Sequence, residues 1–260
     1  MRLFDTHVHL SDKKFDDIRT SVIERYRSKG VELCIEVACD LRSVDTAQAL
    51  ASETPEIFTA FGMHPHYACD MTNEMLDALN GYIHSDKCVA LGEIGLDYHY
   101  DFSPHEIQKK WFALQLELAQ SLNVPVILHI REAFGDCMDI LRAHSGKGIC
   151  GVMHCFSGSY ETAKQCLDMG MYIAFGGSLT FNNAHNLRDV AQRLPLNRLL
   201  IETDCPYMAP VPLRGTVNEP ANIELVAQQL ALLHATSTEN IAKHTFENGM
   251  RLFNLAERLL

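Results

Sequence analysis

Eight short apolar runs of strand character, a helix-periodic segment after each, and a length of 260 residues together predict an α/β chain whose repeated units close into a (β/α)8 TIM barrel with an additional C-terminal helix. No Pro-, Gly- or Ser-rich linker, low-complexity tract or charge block interrupts the repetition, so one domain spanning residues 1–260 is expected.

The strands are expected at 3–8, 31–38, 57–63, 88–92, 125–130, 151–155, 171–175 and 199–203. Most are continuous apolar runs, as strands buried on both faces of a parallel sheet are. Helices are expected between them at 16–29, 43–53, 73–84, 103–122, 133–144, 160–169, 183–193 and 219–234, with the extra helix at 238–259. The one irregular stretch, 205–220, carries prolines at 206, 210, 212 and 220, and its position after the eighth strand suggests an active-site loop.

Composition narrows the function. Hydrophobic residues make up 47% of the chain and charged ones 21%, which excludes a disordered chain. No apolar run reaches the roughly 18 residues of a membrane span. Met1 leads into strand-like sequence without a basic segment and apolar stretch, so a cytoplasmic protein with no membrane partner is expected. The nine cysteines, at 34, 39, 69, 88, 137, 150, 155, 166 and 205, are odd in number and contain no Cys-x-x-Cys pair, so they read as reduced, mostly buried thiols. A formal net charge of −11 argues against wrapping duplex nucleic acid, which needs a basic face, but not against a substrate gripped at one end by cations. No long heptad seam is evident, and a monomer is expected.

In such a barrel the chemistry sits where the strands end. The first strand ends in His7 and His9, which alternate onto one face and so can close on one ion. The third ends in Gly62-Met63-His64-Pro65-His66 and the fourth in Gly92-Glu93-Ile94-Gly95-Leu96-Asp97. The fifth ends in Leu128-His129-Ile130-Arg131, the sixth in Val152-Met153-His154-Cys155-Phe156, and the eighth in Ile201-Glu202-Thr203-Asp204. Taken singly, each histidine is more often a hydrogen-bonded core residue than a ligand. Six of the eight strands, however, deliver imidazole or carboxylate to the same rim, and burying so many ionisable groups without partners costs several kcal/mol each. The histidines at 84, 99, 105, 144, 185, 234 and 244 fall on helices or loops and read as surface residues.

Imidazoles with carboxylates suit divalent first-row metals, and Mg or Mn as well; Zn also fits. Five or six ligands exceed what one catalytic zinc uses, which indicates two ions, with Glu93 best placed to bridge them.

The motifs Asp5-Thr6-His7-Val8-His9, Gly62-Met63-His64-Pro65, Gly92-Glu93-Ile94-Gly95-Leu96-Asp97, Pro125-Val126-Ile127-Leu128-His129, His154-Cys155-Phe156-Ser157-Gly158 and Glu202-Thr203-Asp204-Cys205-Pro206-Tyr207 run in order along the chain. Through them the sequence resembles the TatD family of metal-dependent deoxyribonucleases, within the wider amidohydrolase-like barrels. The stretch Pro210-Val211-Pro212-Leu213-Arg214-Gly215, with Asn218-Glu219-Pro220, resembles the family's loop after the last strand. The resemblance implies a TIM barrel with two divalent ions and 3'-5' exonuclease action on single-stranded DNA ends. It implies one ion held by His7, His9, Glu93 and Asp204 and the other by Glu93, His129 and His154. His64 would face the scissile phosphate, Asp204 would double as the base, and Glu202 would sit behind the ligands. Arg131 and Arg214 are candidates for neighbouring phosphates, and Tyr98, Tyr207 and Phe156 for stacking bases.

Two departures from the family pattern stand out: Glu132 replaces the usual Asp after Arg131, and thiols at Cys155 and Cys205 follow His154 and Asp204, where packing is the favoured role. The alternative function is an amidohydrolase or lactonase acting on a small ester, lactone or amide, aminoacyl esters included, because barrels host many chemistries. Many binuclear amidohydrolases bridge their metals with a modified lysine from the fourth strand, where this chain has Glu93. A metal-bound interaction module is the least favoured reading.

Overall fold

Every predicted strand–helix unit is present in the computed structural model, which describes residues 1–145, 148–256 and 258. The strands are β1 (Leu3–Val8), β2 (Val31–Ala38), β3 (Ile57–Phe61), β4 (Cys88–Asp97), β5 (Val126–Arg131), β6 (Gly151–Met153), β7 (Tyr172–Phe175) and β8 (Leu199–Ile201). They lie in sequence order in one sheet, each parallel to the next. The helices are α1 (Arg19–Ser28), α2 (Leu41–Glu53), α3 (Asn73–Ile83), α4 (His105–Leu122), α5 (Phe134–His144), α6 (Tyr160–Asp168), α7 (His185–Arg193), α8 (Ile223–Leu233) and α9 (Thr238–Leu252). Parallel neighbours require crossovers of one hand, and repeating that crossover rolls the sheet into a TIM barrel. Among the described residues, no helix is long and apolar enough to cross a membrane.

The barrel interior is filled by Phe4, Ile35, Phe58, Ala90, Ile127, Val152, Ala174 and Leu200. Phe246 of α9 and Phe253 just beyond it close the end where the strands begin, with ring centroids 6.0 and 6.1 Å from that of Phe4. Gly249 allows this approach, since a Cβ there would stand 2.5 Å from Phe4 Cδ1. The opposite end is left to polar residues.

Element ends depart from expectation where side-chain chemistry replaces the ladder. β8 stops at Ile201 instead of 203, because the Thr203 N–H donates to Asp5 Oδ1 (2.9 Å). β3 stops at Phe61 instead of 63, and the Met63 N–H is taken by Gln115 of α4 (2.8 Å). β6 ends at Met153 instead of 155, next to the left-handed Cys155 (φ 44°). β4, expected to end at 92, runs on to Asp97 as a partner of β5. α9 ends at Leu252, followed by turns, so the expected helix to 259 is shorter; residues 257 and 259 lie outside the described residues.

Two register shifts decide what faces the polar mouth. On β1, Asp5 pairs with Cys34 and Val8 with Glu36, so three steps match two on β2. Phe4 lies in the interior cluster and Val8 in the layer beneath the helices, so the extra residue reverses the alternation between them. On β4, Gly92 pairs with Ile127 and Ile94 with Leu128; Glu93, after a cis Gly92–Glu93 peptide, is the unpaired extra residue. Gly95 follows at φ 146°, where a Cβ would stand 2.0 Å from the His129 carbonyl oxygen, so only glycine lets β4 and β5 approach this closely.

The seam between β1 and β8 is held largely by side chains. Thr6 Oγ1 donates to the Ile201 carbonyl (3.0 Å), and Thr203 Oγ1 donates to Asp5 Oδ2 (2.6 Å). Beyond them the Asp204 N–H donates to the His7 carbonyl (3.0 Å) and the His9 N–H to the Cys205 carbonyl (2.9 Å). These bonds set His7 and His9 beside Asp204.

Candidate metal centre

His7 Nε2 lies 3.2 Å from His9 Nε2 and 3.5 Å from Glu93 Oε2, and His9 Nε2 lies 3.4 Å from Asp204 Oδ1. Two donors about 2.1 Å from one ion and separated by 90–109° stand roughly 3.0–3.4 Å apart. The observed spacings thus match the edges of a coordination polyhedron more closely than ordinary hydrogen bonds between these groups. His9 Nδ1 bonds the Val37 carbonyl (2.9 Å), which places the proton of a neutral ring on Nδ1 and leaves the Nε2 lone pair free. His7 Nδ1 is buried with no hydrogen-bond partner. These four side chains fit a divalent ion.

A second group shares Glu93. His129 Nδ1 lies 2.7 Å and His154 Nε2 3.5 Å from Glu93 Oε1. Carboxylates stand behind both rings, as is usual for metal-binding imidazoles. Asp97 Oδ2 accepts from His129 Nε2 (3.0 Å), which leaves Nδ1 as the free atom of a neutral ring. Glu202 Oε2 lies 3.1 Å from His154 Nδ1, an ion-pair contact poorly aligned for a hydrogen bond, while Glu202 Oε1 accepts from the Cys155 N–H (2.5 Å). His64 differs. Its Nδ1 accepts from the His66 N–H (3.2 Å), so a neutral ring carries its proton on Nε2, 3.8 Å from Glu93. That makes His64 a donor toward the centre instead of a ligand.

Electrostatics support this division. Burial disfavours charge on Glu93, but His154, His64 and His7 and the hydrogen bond from His129 outweigh it and hold the carboxyl well below its ordinary value. Asp204 is lowered against burial in the same way, chiefly by His9 and His154. Burial also opposes charge on His9, yet Asp204 and Glu93 raise it to about 9. Against the same penalty, Asp97 and Glu93 raise His129 to about 9, and Glu202 and Glu93 raise His154 to about 10. His7 and His64 are lowered by burial and by the neighbouring His154 and His129 respectively. Protons on three imidazoles therefore balance the carboxylates where cations would otherwise do so.

His9, His64, Glu93, His129, His154 and Asp204 line an open cavity of about 750 Å³, within the usual range for small-ligand sites. Arg131 and Tyr207 are on its wall, and Tyr207 comes from the proline-rich stretch after β8. Arg214 is elsewhere: its guanidinium covers the Phe181 ring at 3.7 Å and donates to the Ala209 carbonyl (3.2 Å). Tyr98 and Phe156 are not base-stacking candidates either. The Tyr98 ring stacks on His105 and its hydroxyl donates to Asp136, and Phe156 is buried against Phe134 and Phe175. Glu132 turns to His99 Nδ1 (2.7 Å) and leaves Arg131 unpaired by it. Of the expected surface histidines, 144, 234 and 244 are half-buried, and His234 bonds the Ala191 carbonyl (3.0 Å) on the flank of α8. All nine cysteines are free, and burial raises Cys39, Cys155 and Cys205 well above the ordinary thiol value.

Several supporting residues escaped the sequence reading. Asp97 lies four residues after Glu93 on one strand, an even spacing that could have flagged it. Glu36 accepts from the Leu10 N–H (2.6 Å) and Ser11 N–H (3.0 Å), fixing the turn after His9, and Cys39 Sγ lies 3.4 Å from Glu93 Oε2. Nothing in the sequence alone marks these two.

The family model for TatD related DNase matches residues 4–254. The chain is 43% identical to YabD of Bacillus subtilis, named a metal-dependent hydrolase, over 97% of this chain and 99% of that protein. It is 34% identical to the 3'-5' ssDNA/RNA exonuclease TatD of Erwinia tasmaniensis, over 97% of this chain and 100% of the relative. The solved structure of YJJV, a TatD homologue from Escherichia coli K12, superposes with a TM-score of 0.92 at 32% identity, covering 97% of this chain and 98% of that one.

Proposed function

The chain belongs to the TatD related DNase family of metal-dependent hydrolases, and from that premise we propose that it hydrolyses phosphodiester bonds at single-stranded DNA ends, in the 3'-5' direction, with two divalent ions. In this reading His7, His9, Glu93 and Asp204 hold one ion, Glu93, His129 and His154 the other. Bound there, Mg, Mn or Zn would supply charge to the phosphate oxygens and an acidified water. The rest is done by the chain's own residues. Val37 and Asp97 fix the orientations of the His9 and His129 rings, His64 Nε2–H donates to a phosphate oxygen, and Asp204 takes the water's proton.

The observation that carries the choice of an anionic substrate is Arg131. It is the one Lys or Arg among the cavity-lining residues, and among the described residues it has no carboxylate partner. An unpaired guanidinium beside an N–H donor suits phosphate, whereas a neutral lactone or amide has no use for it. The relative named an ssDNA/RNA exonuclease supports the same substrate class.

The test is incubation with end-labelled single-stranded DNA, with Mg or Mn and with chelator, alongside a lactone, an amide and an aminoacyl ester. Metal-dependent shortening of the DNA is expected. Turnover of a non-phosphate ester without DNA cleavage would replace this reading with the amidohydrolase or lactonase one.

A further inference from the structure

The loop after β4 exposes two aromatic rings beside the centre. Tyr100 is 42% exposed and Phe102 62% exposed, although the chain has ample apolar core. Their rings stack, with centroids 5.3 Å apart and planes at 22°. The His66 ring meets both edge-on, at 5.5 and 4.8 Å.

The backbone that presents them is tied down at both ends. Asp97 Oδ1 accepts the N–H groups of His99 (2.9 Å) and Tyr100 (3.2 Å). On the far side, buried Ser103 Oγ donates to the His66 carbonyl (3.1 Å) and accepts from the Cys69 N–H (3.0 Å), while Gln108 Nε2 donates to the Ser103 carbonyl (2.8 Å). The outward rings are therefore held in place, which lowers the entropic cost of binding on them.

This surface is joined to the centre by short contacts. His66 Nε2 bonds Asp97 Oδ2 (2.9 Å), the same oxygen that bonds His129. The Arg131 guanidinium lies over the Tyr100 ring, 5.0 Å from its centre, and both residues line the cavity. A flat π-bearing group on the aromatic pair would thus have its attached anion beside Arg131.

We propose that Tyr100, Phe102 and His66 form a stacking seat for the nucleobase next to the scissile phosphate of a single strand. The seat tolerates every base, because it offers faces and no set of donors and acceptors that reads a base edge. A duplex end, whose bases are already stacked and paired, must be unpaired to use it. This inference rests on the phosphodiesterase reading and adds a subsite to it.

The experiment compares wild type with Y100A/F102A on end-labelled single-stranded DNA, either intact or carrying abasic sites at the two terminal positions. Wild type should favour intact over abasic DNA in KM by about tenfold, and the variant should treat the two alike. Equal KM values for the two substrates in wild type, or the same discrimination kept by the variant, would overturn the seat; absence of DNA cleavage in wild type overturns the functional reading instead. The seat can also be read without catalysis. In metal-free F102W protein, emission should be quenched on titration with intact oligonucleotide, beyond any change from Trp111 seen in wild type, and to a smaller extent with the abasic one. Equal quenching by both strands overturns the proposal, and so does a wild-type dimer in sedimentation that Y100A/F102A disperses.

Discussion

Asp97→Asn separates support of an imidazole from direct ligation. Asp97 is fully buried, and its Oδ2 accepts from both His129 Nε2 and His66 Nε2 at 3.0 and 2.9 Å. An asparagine can keep its oxygen on the N–H groups of His99 and Tyr100, but its amide then points N–H bonds at two ring nitrogens that were donors. His129 relieves the clash by moving its proton to Nδ1, the atom 2.7 Å from Glu93. A protonated Nδ1 cannot ligate, so one ion should bind more weakly by about 10–100-fold, the range found when such supporting carboxylates are lost, or about 1.4–2.7 kcal/mol. Calorimetric titration of metal-free protein with Mn reads this directly: wild type should show two sites, and Asp97→Asn one retained and one weakened. Unchanged affinity at both sites in a folded Asp97→Asn protein would refute the tautomer argument and remove His129 Nδ1 from the ligand set.

Three further outcomes follow from the same geometry. Glu93→Ala should abolish hydrolysis and lower metal occupancy at both positions, measured by elemental analysis, and an active variant rules out a shared Glu93. The melting temperature of chelator-treated protein should fall as pH rises from about 6.5 to 10. His9, His129 and His154 are raised to about 9 or 10, so the stability they give is complete below the unfolded imidazole value and is lost as pH rises through those values. His7 and His64 are lowered, so they withdraw stability as pH falls below about 6.5, and a melting temperature that climbs steadily to pH 9 contradicts the assignment. Gly95→Ala should cost about 3 kcal/mol or more, a fall of roughly 6 °C or more in melting temperature, while Gly135→Ala, with no atom within 4 Å of its Cβ position, should change little.

The barrel was legible because its signal is repetitive: strands apolar throughout, each followed by a helical period, need no knowledge of distant contacts to be counted. The site residues were legible in type and in strand position. Their aim was not. His7 and His9 face the mouth because an extra residue on β1 reverses the alternation after Phe4, and Glu93 does so as the bulged residue of β4. Neither shift leaves a mark in composition, since a bulge is a property of the pairing between strands. The same reason hid Glu36, a buried carboxylate whose partners are backbone N–H groups after β1. Tyr98 reads from the sequence as a base-stacking candidate, although its ring stacks on His105 and its hydroxyl donates to Asp136, because such contacts within the loop and the helices after it leave no mark in the sequence.

Charge decides how such a site meets a polyanion. The formal net charge is −11, and Asp12, Asp40, Glu93 and Asp204 line the cavity with Arg131 as its one guanidinium. Long-range attraction is therefore weak, and binding must come from contacts at the centre itself. Each phosphate neutralised on a single strand contributes about −0.7 to the slope of log K against log salt. One or two such contacts give a slope no steeper than about −1.5, whereas a groove that tracks six phosphates gives about −4. Anisotropy titrations of a labelled oligonucleotide between 50 and 200 mM salt, at a fixed Ca concentration as a non-catalytic probe, should return the shallow value and should change little when the strand is lengthened. A slope near −4 that grows with strand length would place a basic track outside the cavity and end the argument that the strand is gripped only at its end.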